Sequence, residues 1–112
     1  MNSHRVPVIS NLPASWKGLM RRCHDLWFGE LTDCQVQRGA ITKVGRFVKS
    51  VFTKPAIPVP PFSENQPISN SWQTVMNICE KSAVQSIPII KIEAGEPVRV
   101  CIDEGGWTTE IK

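Results

Sequence analysis

Between Ala14 and Phe28 the apolar residues Trp16, Leu19, Met20, Cys23, Leu26 and Trp27 recur every third or fourth position, with Lys17, Arg21, His24 and Asp25 between them. Wound at about 100° per residue, the apolar set forms one stripe, which predicts an amphipathic helix. Pro13 suits its first turn and Gly29 its end. A second stripe runs from Ser71 to about Val84 and carries Trp72, Val75, Met76, Ile78, Cys79 and Ala83. Asn70 followed by Gln73 resembles the side-chain arrangement that caps free amides at a helix start.

After each helix the pattern changes to turn residues and β-branched runs. Residues from about Thr32 to Gln37 and from Ala40 to Gly45 are expected to pair as a hairpin turning at Arg38-Gly39. Residues 46 to 54 fit two elements. As a helix, Ile41, Val44, Phe47, Val48, Val51 and Phe52 would share one side, but Gly45 and the β-branched, aromatic composition favour strand, so this segment is left as strand or short helix. In the second half, Pro88 to Ile92, Val98 to Ile102 and Trp107 to Ile111 read as three strands, with Gly95 and Gly105-Gly106 in the turns.

The two helices share a four-point pattern, Trp16-x-x-Leu19-Met20-x-x-Cys23 and Trp72-x-x-Val75-Met76-x-x-Cys79, at an offset of 56 residues. Carried forward, that offset sets "VQRGAITKV" over "IEAGEPVRV", Gly39 over Gly95 and Lys43 over Arg99. An internal repeat of helix plus β-hairpin is the expectation. Between the halves, "KPAIPVPPFSENQPISN" holds five of the nine prolines, so it is read as an extended crossover. Its Pro55-x-x-Pro58 and Pro58-x-x-Pro61 spacings also suit an aromatic groove of the SH3 type, a reading set behind that of a linker.

At 112 residues the chain is the size of one domain with a core of its own. The reading is therefore an α+β fold forming a single compact domain, 1–112: half-unit 1–54, crossover 55–70 and half-unit 71–112. Trp16, Met20, Trp72 and Met76 are the expected core anchors. No apolar run is long enough to span a bilayer and no secretory signal is evident, so no membrane association and a cytoplasmic location are expected. The acid-free run up to His24 also fits an organellar transit peptide, a reading set behind the helix it contains.

Charge divides the chain. Residues 1–56 hold nine Lys or Arg against three acids, a net of +6, while 57–112 hold four against seven, a net of −3. No acid occurs from Cys34 to Ser63, and Arg38, Lys43, Arg46, Lys49 and Lys54 lie in that stretch. These five are the candidate anion- or partner-binding residues. They suit an acidic protein surface, including that of a second copy of the chain, or the phosphates of a nucleic acid, with Phe47 and Phe52 offering stacking faces. They equally suit a plain solvated surface.

Candidate chemistry changes little. Cys23, Cys34, Cys79 and Cys101 show no Cys-x-x-Cys spacing and no histidine pair to complete a shell, so no metal site is expected and the thiols are read as free and buried. Cys23, His24 and Asp25 are sequence neighbours, which a helix projects about 100° apart, too divergent for a nucleophile–base relay. His4, the other histidine, lies near the amino terminus, and Asp103-Glu104 before Gly105-Gly106 reads as a polar turn. No phosphate loop or dinucleotide fingerprint occurs, and no cofactor is expected. The segment "AGEPVRVCIDEGG" resembles the turn of the swapped-hairpin DNA binders of the AbrB type. The helix of that pattern is missing between Ile92 and Gly95, so its function is not carried over. The expected function is that of a small non-enzymatic accessory or regulatory protein acting through protein contacts. The alternative is a nucleic-acid-binding regulator of phage or plasmid type using residues 38–54.

Overall fold

The computed structural model describes residues 7–51, 58–81, 85–104 and 107–111. Its elements follow the order α1 (Ala14–Leu26), β1 (Gly29–Gln37), β2 (Ala40–Lys43), β3 (Arg46–Lys49), α2 (Asn70–Glu80), β4 (Ser86–Glu93), β5 (Glu96–Glu104) and β6 (Trp107–Ile111), with a short 3-10 turn at Ile9–Asn11 before α1. The fold is a compact α+β domain. All pairings are antiparallel, in the order β2-β1-β4-β5-β6, and β3 continues the β2 edge by pairing with the first half of β1. The segment left open between helix and strand is thus strand over 46–49, because the edge of β1 supplies the backbone partners that a helix broken at Gly45 would lack.

Both helices bury their stripes against one face of this sheet. α1 lies over β2, and α2 lies over β5 and β2. Between the layers sit Trp16, Leu19, Met20, Cys23 and Leu26 of α1, Trp72, Val75, Ile78 and Cys79 of α2, and Leu31, Cys34, Val36, Ile41, Ile87, Ile90, Ile92, Val100 and Ile102 of the strands. Of the four expected anchors, Trp16, Met20 and Trp72 are buried and Met76 is half-buried at the margin.

Local details correct the expected helix ends. Ser69, not Asn70, caps α2 by accepting the Trp72 amide, while the Gln73 side chain donates to the Ile68 carbonyl. α1 ends at Trp27, whose φ of 65° turns the chain in a conformation usually left to glycine. The compensation is tertiary: the Trp27 carbonyl accepts the Gly95 amide at 2.9 Å and its ring lies against Gly95. Gly29 is required for a different reason, since a Cβ there would stand 2.0 Å from the Val48 carbonyl oxygen.

The two hairpins match in detail. Arg38 and Gly39 turn with φ of 53° and 77°, and Ala94 and Gly95 with 52° and 77°. A one-residue bulge follows each turn, shifting the register at Gln35/Val36 in the first and at Lys91/Ile92 in the second. Gly39 packs on Glu80 at the end of α2, and Gly95 on His24 near the end of α1, so each turn rests on the helix of the other half. This correspondence of backbone geometry does not establish an internal repeat. β5 runs unbroken where β2 and β3 are separated by Val44-Gly45.

The crossover is strapped to the amino-terminal segment rather than free. Val8 bridges to Pro67, the Ile9 amide donates to Gln66 and the Ser10 amide to Glu64. Lys17 reaches Glu64 at 3.8 Å. His4, Phe52, Lys54, Pro55, Ala83, Val84 and Gly105-Gly106, all invoked in the sequence reading, lie outside the described residues.

Candidate functional site

In an antiparallel sheet, paired residues share a face and successive residues alternate. Gly29, Leu31, Phe47 and Ile90 point to the helices, so Glu30, Thr32, Arg46, Val48, Ile89, Lys91, Arg99 and Cys101 point to the other face. Among the described residues no element packs on that second face. Its central residues Glu30, Thr32, Ile89, Lys91, Arg99 and Cys101 are half-buried, and Val48 is 40% exposed. Lys91 lies 3.5 Å from Glu93.

The five cations of the sequence reading do not form one stripe. Lys43, paired with Gln35, and Arg46, paired with Thr32, share the open face. Lys49 is on the helix side of the strand, Arg38 is at the hairpin tip near Glu80, and Lys54 lies outside the described residues. Strand alternation is the cause. Among the described residues neither Lys43 nor Lys49 lies within ion-pair reach of a carboxylate, so their charge faces solvent.

Phe47 is not a free stacking platform. The Arg22 guanidinium of α1 lies over its ring, 4.1 Å from the centroid, a cation–π contact that joins helix to edge strand. Arg22 thereby brings a further charge to the β3 edge. Sequence reasoning passed it over because it lies on the polar side of α1. Its spacing of one position before Cys23 was the available signal, since that sets it at the border of the stripe.

A cleft of about 230 Å³ lies between α1, the crossover and the β4–β5 turn, lined by Ile9, Met20, His24, Phe62, Trp72 and Glu96 among others. The His24 ring packs edge-on against Trp27 and tilted against Phe62, and its Nε2–H donates to the Pro60 carbonyl. Glu96 accepts hydrogen bonds from the Ser69 and Ser71 hydroxyls, both on Oε1. These bonds tie the β5 start to the α2 cap and the crossover to α1. His24 is thus engaged structurally, and Cys23 beside it is buried in the core.

Burial pushes the Cys34 and Cys79 thiols up to about 12, with nearby thiols and carboxylates adding to the effect, and raises Cys23 as well. Thiols held protonated are poor nucleophiles and poor metal ligands. In the native protein an aromatic disulfide reagent near pH 8 is expected to titrate Cys101, half-exposed on the open face, and to reach the other three only after denaturant is added. Because the folded values lie above the unfolded 9.0, stability is fully present below pH 9 and falls as pH rises toward about 12, where the unfolded chain has ionised its thiols first. A urea midpoint that falls no more between pH 9 and 11 than that of a Cys34→Ala, Cys79→Ala variant would contradict this.

No group of His, Cys, Asp and Glu among the described residues is arranged to hold a metal ion. No described helix is long and apolar enough to cross a membrane. Comparison with protein-family models, with curated proteins and with solved structures yields no match for this chain.

Proposed function

We propose that this protein is a non-enzymatic accessory or regulatory module that works by protein contacts through the helix-free side of its sheet. The observation that carries the reading is the composition of that face: Val48, Ile89 and Cys101 interleaved with Glu30, Arg46, Lys91 and Arg99, with no described element over it. Mixed apolar and charged residues of both signs suit a protein surface, in which a dehydrated centre gives affinity and charges set orientation. A nucleic-acid interface would instead favour an acid-free face with open aromatic rings. Glu30 stands in the middle of this face and Phe47 is covered by Arg22.

The test combines light scattering with an oligonucleotide titration. A mass that rises with concentration and returns to the monomer in an Ile89→Glu variant supports the contact reading, with a second copy as the partner. Oligonucleotide binding that collapses between about 50 and 200 mM salt, and that is lost when Lys43, Arg46 and Lys49 become Ala, replaces it with the nucleic-acid reading.

A further inference from the structure

We infer that the free edge of β3 binds an extended acidic segment of a partner protein, which adds to the sheet as a further strand. The inference rests on the protein-contact reading and specifies the partner's chemistry. The Ser50 amide donates to the Phe28 carbonyl at 2.9 Å, which fixes the phase of the ladder between β1 and this arm. With Phe28 and Ser50 a hydrogen-bonded pair, Glu30–Val48 and Thr32–Arg46 are also bonded pairs in the same register, and Leu31–Phe47 and Gly29–Lys49 are not. The amides and carbonyls of Phe47 and Lys49 therefore point away from β1, toward the outside of the sheet. Among the described residues no strand pairs with them.

An edge of this kind is a template for main-chain hydrogen bonds. Its side chains select the occupant. Arg46 and Val48 flank it on the open face, and Arg22 over Phe47, with Lys49, flanks it on the helix face. Val51, two residues beyond β3, is 81% exposed. A strand laid alongside thus meets cations on both of its faces and an apolar residue beside them, so alternation of carboxylates with small apolar residues is the complementary chemistry. Two-fold pairing of β3 with its own copy would gather two Arg46 and two Lys49 along one seam, and like-charge repulsion opposes that arrangement. The same cations that guard the edge against itself attract an acidic chain.

The test uses the intact protein and a synthetic peptide of alternating valine and glutamate, about six to eight residues long, the usual length of a strand. The expected result is saturable binding, with hydrogen exchange slowed at the Phe47 and Lys49 amides and weakened several-fold between about 50 and 200 mM salt. N-methylation of alternate peptide residues, tried in both registers, is expected to cost about tenfold in one register by removing main-chain bonds. An Arg46→Glu, Lys49→Glu variant, both sites exposed, is expected to prefer instead a basic control peptide of alternating valine and lysine, with its circular dichroism unchanged.

Equal binding of the acidic and basic peptides, indifference to N-methylation, or unchanged exchange at Phe47 and Lys49 would each overturn the inference. So would concentration-dependent growth in mass that Arg46→Glu, Lys49→Glu abolishes and Ile89→Glu leaves intact, which would place a strand edge of a second copy there. Loss of the protein-contact reading shows separately, as oligonucleotide binding. A protein that binds neither oligonucleotide nor peptide, yet associates through Ile89, retains that reading and discards the edge.

Discussion

Replacing Trp72 with alanine is expected to lower stability by about 3 to 5 kcal/mol, the range for emptying a large aromatic site in a close-packed core. Trp72 is 3% exposed and belongs to the one core cluster that also contains Trp16 and Met20 of the other helix. The void would open between the two halves, where neither helix can move inward without leaving its own strands. Met76, one turn on and half-buried, is expected to lose less than half as much on truncation. Urea unfolding followed by far-ultraviolet circular dichroism measures both. A Trp72→Ala loss no greater than that of Met76→Ala would mean that the core is not organised around this ring.

The second large effect is expected at Gly29, where the side chain to be added is one methyl group. A Cβ there would lie 2.0 Å from the Val48 oxygen and 3.2 Å from Leu26 Cδ1, so backbone must move on one side or the helix end on the other. Gly29→Ala should cost about 3 kcal/mol, the upper part of the range for overpacking, because the obstructing atom belongs to a hydrogen-bonded strand and cannot rotate away. Gly18→Ala makes the control. That position lies inside α1 with nothing within 4 Å, and alanine there should stabilise by about 0.5 to 1 kcal/mol through helix propensity. Opposite signs for the same chemical change would separate steric from conformational effects. A Gly29→Ala variant no less stable than the parent would place Val48 further from Gly29 than described, and a destabilising Gly18→Ala would contradict the open surroundings of that position.

The sequence was most legible where one periodicity ruled. The α1 and α2 stripes, the turns at Arg38-Gly39 and Ala94-Gly95, and the second-half strands were all readable, because each rests on local alternation or on a residue that tolerates positive φ. What the sequence hid depends on partners distant in the chain. Residues 46–49 carry both a helical and a strand pattern, and the edge of β1 decided between them. Trp27 takes a left-handed conformation because Gly95, 68 positions later, supplies both a hydrogen bond and a flat surface for its ring. The cap of α2 fell to Ser69 because Ser69 and Ser71 also serve Glu96. Of the candidate site, the sequence showed the charges but not their distribution over two faces, nor the pairing of Arg22 with Phe47.

The reciprocal placement of each hairpin turn on the opposite helix bears on how the chain is made. Until β4 is made, β1 has only β2 and β3 beside it, and its inner edge waits for Ile87 to Ile92, some fifty to sixty residues further along the chain. Assembly is therefore deferred until β4 has left the ribosome, and closure of that long loop sets the pace of folding. In the interval Leu31 and Cys34 are without their covering strand, which makes the nascent amino-terminal half the stage most in need of a chaperone.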